Sequence, residues 1–327
     1  MNVIVHGGAG SKPENPESRQ EILDEAARAG TGQSTAVEAV CATIGVLEES
    51  PRFNAGVGGA VQSDGIIRTD AGIMTDQRET GAACSMPGVT HAVEVARTVM
   101  EETPHVLLSG VHAVDFAADY GIGVEEKLWS SHTRERWEDL DPPEGGPREQ
   151  VEWSREHFGE TEDDPEGREL DHDSAEQSSA GSGLKDHDRV GRSPAGSDPK
   201  DHDTVGAVAN DGENMAAATS TGGRWLALAG RVGDVPQIGS GFYCTPAGGA
   251  SATGAGEDIA RVTLSRLAVD HLEDGASAQE AADRAIEEFE ELTDSTAGII
   301  VCDREGETGS AYNSPRMQTK ALAANWR

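Results

Sequence analysis

The feature that most restricts this chain is a break in its composition. Residues 132–203 are mostly Asp, Glu, Ser, Gly, His, Pro and Arg, with few aliphatics, and the shift begins near Glu125. Such a stretch buries too little apolar surface to offset the entropy of ordering it. It reads as a loosely held acidic segment. The triplet "DHD" recurs within it at 171–173, 186–188 and 201–203, and "KDHDRVG" (185–191) nearly repeats as "KDHDTVG" (200–206). At Thr204 the pattern changes at once to the β-like run "TVGAVAND", and "NMAAATST" follows the turn "NDGEN". Two structured blocks are therefore expected, roughly 1–130 and 204–327, folding together into one domain.

Charge narrows the function. The net charge is −33, from 59 acidic and 26 basic residues, and only Lys12, Lys127, Lys185, Lys200 and Lys320 are lysines. Such a surface repels nucleic acid and anionic membranes. It suits a protein that stays hydrated in concentrated salt, where repulsion is screened within roughly 3 Å at 1 M, so a halophilic source is expected. No apolar run approaches the ~18 residues that span a bilayer. The start "MNVIVHGGAG" lacks the basic and apolar regions of a signal peptide. The expected location is the cytoplasm. Cys41, Cys84, Cys244 and Cys302 form no CxxC and read as buried reduced thiols.

"MNVIVHGGAG" reads as a strand running into a glycine turn. "SRQEILDEAARAGTG", "STAVEAVCATIGVLEES", "HAVEVARTVMEET", "GVHAVDFAADYG" and "ASAQEAADRAIEEFEEL" carry helical spacing, the second with Ser34 or Thr35 as N-cap. "GGAVQSDGIIRTDAGIM" reads as a hairpin turning near Ser63, Asp64 and Gly65, and "AGIIVCDREGETGSAYN" as another. "GGAGSK" (7–12) lacks the spacing of a phosphate loop. The DHD triplets read as solvated low complexity rather than metal ligands.

Thr204 stands where the acidic segment ends. Threonine is a weak nucleophile unless a base sits beside it, and a chain break just before it supplies one, its own α-amine. That amine has a pKa near ~7.7–8.0, suited to general-base work. On "DTVG" alone, Thr204 is an ordinary strand residue.

Its surroundings add weight. "HGGAG" (6–10), "RFNAGVGGAV" (52–61), "TPHVLLSG" (103–110), "ATSTGG" (218–223), "GRVGD" (230–234), "SATGAGE" (251–257) and "NSPRM" (313–317) occur in this order. The chain thereby resembles the plant-type L-asparaginase/isoaspartyl peptidase family. The resemblance implies an α/β fold, a four-layer αββα sandwich of the N-terminal-nucleophile hydrolase type. It implies self-cleavage between Asp203 and Thr204, giving an α-subunit of residues 1–203 and a β-subunit of 204–327 that starts with the nucleophile. Thr221 would orient the nucleophile and Asn54 support it. Thr253 and Gly254 would form the oxyanion hole. Arg231 would clamp the substrate α-carboxylate, Asp234 the α-ammonium, and Gly256 would admit the substrate to the backbone. Backbone carbonyls of Leu47, Glu48 and Phe53 would hold a structural sodium ion; catalysis itself would need no cofactor. The partners implied are small molecules, L-asparagine or β-aspartyl dipeptides, and a dimer of cleaved αβ heterodimers.

One position departs from that pattern. The family usually has Gly before the catalytic Thr, and here Asp203 follows His202. "HDT" is similar to glycosylasparaginases and "DTVGAV" to threonine aspartases of the same superfamily. These stay as alternatives, with a non-catalytic acidic interaction module as a third. In the copy at 185–191, Arg189 replaces the threonine and has no hydroxyl, so cleavage is expected after Asp203 and not after Asp188.

Overall fold

The computed structural model describes residues 1–13, 15–140, 142–143, 145–158 and 204–323, with the backbone alone over 154–158. The DHD triplets, Asp188 and Asp203 lie outside the described residues.

Both sequence blocks contribute to one sheet. β1 (Asn2–Gly10) pairs antiparallel with β5 (Val205–Asn210), Ile4 opposite Val208 and His6 opposite Gly206. β6 (Met215–Thr221), β2 (Arg68–Thr75), β3 (Thr80–Pro87) and β4 (Leu107–Ser109) continue on one side, and β11 (Arg316–Ala323) closes the other. The seven strands run β11-β1-β5-β6-β2-β3-β4. A second sheet contains β7 (Phe242–Thr245), β8 (Gly248–Gly254), β9 (Ala297–Asp303) and β10 (Thr308–Tyr312), in the order β10-β9-β8-β7.

The two-residue period of each strand builds the layers. Ile4, Val208, Ala217 and Met74 point between the sheets and pack with Phe242, Ala250 and Ile299. Their neighbours Val3, Val5, Ala207, Ala218 and Ile73 point the other way, toward Leu23 of α1 (Pro16–Thr31) and Ile44 of α2 (Ala36–Glu48). α3 (Ala92–Glu102) and α4 (Gly110–Asp119) extend that outer layer. α8 (Leu264–Glu273) and α9 (Ala278–Thr293) cover the second sheet. Helices, sheet, sheet, helices: the expected αββα arrangement is present. Central strands covered on both faces read as near-continuous apolar runs, which is why "TVGAVAND" and "NMAAATST" carry so little polarity.

Local signals place the helix starts. Thr35, rather than Ser34, caps α2: its side chain accepts from Glu38 N–H while the Glu38 carboxylate bonds back. Ser277 and Glu280 do the same for α9. All four cysteines are free and buried.

Three expectations change. β1 does not end in a glycine turn: pairing with β11 resumes at Ala9 after a register shift, with Gly8 at φ 101°. The first hairpin turns at Gln62–Ile66, but its arms meet only at a Val61–Ile67 bridge before β2 begins. The acidic composition after residue 132 hides two helices, α5 (Ser131–Glu138) and α6 (Pro147–Phe158). Trp129 and Trp137 meet edge to face at 6.2 Å and pack on Val61, Ile67 and Leu128. A few aromatics thus anchor a stretch that its mean composition marks as soft.

Candidate active site

β5 starts one residue after Thr204, and β6 ends at Thr221. In an antiparallel pair the head of one strand lies beside the tail of the other, and Val205 opposite Ser220 sets Thr204 opposite Thr221. Thr204 Oγ1 donates to Thr221 Oγ1 at 3.2 Å. Thr221 Oγ1 in turn accepts Gly223 N–H at 3.2 Å and donates to the Asn54 carbonyl at 3.4 Å. The nucleophile candidate is 8% exposed, so its hydroxyl is reachable but held.

Asn54 fixes the wall beside this pair. Its Nδ2 donates to the Gly223 carbonyl at 2.6 Å, and its Oδ1 accepts Ala60 N–H at 2.8 Å. Every polar atom of its side chain is thereby used to hold backbone.

A small cavity joins Thr204 and Thr221 to Arg231, Asp234, Gly254 and Gly256. Thr253 is 1% exposed on β8 and is not among the residues lining it. Gly254 adopts φ 138°, a conformation L side chains rarely take. Gly256 opens α7 (Gly256–Val262), and a Cβ there would stand 2.7 Å from Asp234 Oδ1 and 2.9 Å from Arg231 Nη2.

The charges of this cavity are arranged in depth. Arg231 Nε donates to Glu257 Oε1 at 2.8 Å, and Arg224 Nη1 lies 3.6 Å from Glu257 Oε2. Burial works against the Arg231 cation, but the bond to Glu257 together with the negative charges of Glu257, Asp234 and Asp70 outweighs it and holds its pKa above the ordinary value. Burial likewise opposes ionised Glu257, yet Arg231 and then Arg224 hold its carboxyl at about 2. Asp234 is pushed up to about 7 by burial, only partly offset by Arg231. Its Oδ2 is buried and has no hydrogen-bond partner among the described residues. An orphaned carboxylate oxygen beside a fixed guanidinium is a receptor for a cation next to an anion.

Three contributors escaped the sequence reading. Glu257 is the last letter of "SATGAGE" and carries no role in the sequence. Asp70, opposite Thr221 on β2, is 2% exposed and accepts Ser85 N–H at 2.6 Å; burial raises it to about 7, offset in part by Ser85 and Arg231. His6 lies between the sheets. Its Nδ1 accepts Gly8 N–H at 3.4 Å, so the neutral ring donates through Nε2 to Ser251 Oγ at 3.0 Å. Ser251 and Thr219 hydroxyls are 2.6 Å apart, and Thr219 donates to the Gly241 carbonyl at 2.7 Å. Burial lowers His6 to about 3, with the Thr204 backbone opposing, so the ring is neutral at ordinary pH. Gly206 makes room for this chain, since a Cβ there would collide with Ser251 Oγ and His6 Nε2.

The loop after α2 coils on its own oxygens. The Leu47 carbonyl accepts Ser50 N–H at 3.1 Å, the Glu48 carbonyl accepts Val57 N–H at 2.8 Å, and each keeps a second lone pair. Gly56, at φ 51°, lets the chain close on the Glu48 and Thr90 carbonyls. Neutral oxygens of this kind fit a hard cation. The Glu48 side chain turns elsewhere: its Oε1 accepts Ser220 Oγ–H at 2.6 Å and Val93 N–H at 3.0 Å, and its Oε2 lies 3.7 Å from His91 Nδ1. Among the described residues no cluster of His, Cys, Asp and Glu could hold a metal.

Two stacked sheets between helical layers, with a threonine at the head of a central strand, define a hydrolase fold of the N-terminal-nucleophile class. The family model described as Asparaginase matches residues 1–325. A "Plant-type L-asparaginase" from Pyrococcus abyssi is 38% identical over 324 residues, covering 96% of this chain and 94% of that protein. An "Isoaspartyl peptidase/L-asparaginase" from Danio rerio is 32% identical, covering 98% and 91%, and one from Rattus norvegicus 33%, covering 98% and 85%. The chain belongs to the asparaginase family.

Proposed function

We infer that this protein is an amidohydrolase that releases L-aspartate from L-asparagine and from β-aspartyl dipeptides, with Thr204 as nucleophile. The observation that carries the reading is a single cavity holding the Thr204–Thr221 hydroxyl pair at one end and the Arg231–Asp234 pair at the other. The names of the relatives, L-asparaginase and isoaspartyl peptidase, agree with it.

The chemistry follows from the geometry. Arg231 takes the substrate α-carboxylate, and Asp234 takes the α-ammonium, which draws the carboxyl of Asp234 down from about 7 into its ionised form. The side-chain carbonyl then lies over Thr204 Oγ1. The freed α-amine of Thr204 accepts the hydroxyl proton as Oγ1 attacks, and Thr221 holds Oγ1 in line. Gly254 at the cavity wall, and Thr253 once its buried hydroxyl turns toward the cavity, supply oxyanion stabilisation, a contribution typically of ~10²–10³ in rate. The amine returns its proton to the departing ammonia or peptide amine. Water then hydrolyses the acyl–threonine ester, releasing aspartate. Maturation needs the Asp203–Thr204 bond broken, with the Asp203 carboxylate as a local base.

The same reading includes a sodium ion held by carbonyls of Leu47, Glu48 and Phe53, a dimer of cleaved αβ heterodimers, and a cytoplasmic protein adapted to high salt. Among the described residues no helix is long and apolar enough to cross a membrane. The test is incubation of matured protein in high salt with asparagine and with β-Asp-Leu. Aspartate is expected from both, and its absence from both defeats the reading.

A further inference from the structure

A second cavity, of about 280 Å³, is lined by Asn54. Asn54 also bonds the Gly223 carbonyl of the catalytic cavity, so one side chain links the walls of the two spaces. Trp225 lines this cavity, whereas its neighbour Arg224 lines the catalytic one.

Its charge is opposite to that of the molecule. In a chain of net charge −33, Lys12, Arg19, Arg52 and Arg136 line the cavity, and no described acidic residue does. Lys12 and Arg52 make no ion pair among the described residues. Arg136 is stacked over the Trp225 ring at 4.1 Å, which fixes its guanidinium against another lining residue. Arg19 donates to the Gly7 and Arg52 carbonyls and so anchors the floor. Cations concentrated in a concavity of an acidic protein form a focused positive field.

We propose that this cavity is the subsite for the carboxylate-bearing leaving part of a β-aspartyl peptide. The proposal rests on the amidohydrolase reading above and names the substrate class it favours. In such a peptide the scissile carbonyl lies between the aspartyl head and the leaving residue. With the head in the Arg231–Asp234 clamp, the leaving residue departs on the opposite side of Thr204, past Gly223 toward Trp225. Its free carboxylate then meets Lys12 and Arg52. Asparagine, whose leaving group is ammonia, does not use the subsite.

The experiment compares asparagine, β-Asp-Leu and β-Asp-Leu amide at one ionic strength, with matured wild type and a Lys12→Gln/Arg52→Gln double variant. Both substitutions are at exposed side chains outside the catalytic cavity. Wild type is expected to favour the free carboxylate over the amide by about tenfold in kcat/KM, mainly through KM, as one charge-assisted contact provides. The double variant is expected to lose that preference while turning over asparagine as wild type does. Equal kcat/KM for dipeptide and amide in wild type, or a preference unchanged in the variant, overturns the subsite. Failure to release aspartate from all three substrates instead overturns the underlying amidohydrolase reading.

Discussion

Asp234 Oδ1 and Gly256 face each other so closely that a Cβ on the glycine would stand 2.7 Å from the carboxylate. The same point lies 2.9 Å from Arg231 Nη2. The absent side chain is therefore the space into which the substrate head group fits. Gly256→Ala is expected to lower kcat/KM for asparagine about 10²-fold, since contacts to charged groups contribute ~1.5–3 kcal/mol. The variant folds, because only the ends of Arg231 and Asp234 need shift. Near-normal asparagine kinetics would remove Arg231 and Asp234 from substrate recognition.

Thr221 receives the Thr204 proton direction and passes its own to the Asn54 carbonyl. Thr221→Ser keeps that relay and is expected to stay within about tenfold of wild type, whereas Thr221→Val breaks it and slows turnover by about 10²-fold or more. The comparison is read in kcat of matured enzyme. Equal rates for the two variants would reduce Thr221 to a packing residue.

Asp70 gives a pH dependence with a definite sign. Burial raises its folded pKa to about 7 from the ordinary 3.8, so between those values the folded state holds a proton that the unfolded state has lost. The resulting stability is full below pH 4 and is lost as pH rises through 7, up to roughly 4 kcal/mol at 1.36 kcal/mol per unit. Asp70→Asn removes this loss. Denaturant unfolding at pH 5 and pH 8 is expected to show a smaller drop in the variant than in wild type; an identical drop would mean that Asp70 is ionised throughout.

The layers were legible because strand and helix periods survive in the sequence. "TVGAVAND" and "NMAAATST" are apolar on both faces, as sandwiched strands are, and Thr35 with Glu38 announces a helix start. α5 and α6 were not legible, since Trp137 and the Ser63–Gln150 hydrogen bond hold them and no periodic apolar face does. Within the site, Thr204, Thr221, Arg231 and Asp234 stood out by motif. Glu257 and Asp70 did not, because a carboxylate acquires its meaning only from what burial places beside it: Arg231 for the first, Thr221 and Ser85 for the second. His6 was visible only as part of "HGGAG", and its link to Ser251 spans 245 residues of sequence.

The carbonyl loop at Leu47–Val57 predicts a cation effect separable from ionic strength. Replacing sodium chloride with an equal concentration of choline chloride is expected to lower the unfolding midpoint by several degrees, as loss of a ligand bound only to the folded state does. Asn54 follows Phe53 in that loop, so activity is expected to fall with it. Identical melting in the two salts would argue that the loop holds no ion.

The most direct test of the whole account is the intact mass of aged protein, with Thr204→Ala beside it. The account predicts two chains for wild type, the 203 residues before Thr204 and the 124 from Thr204 to Arg327, with no cut after Asp188. It predicts a single uncut and inactive chain for Thr204→Ala. An uncut wild-type chain that hydrolyses asparagine, or cleavage that persists in Thr204→Ala, would contradict the assignment of Thr204 as the nucleophile.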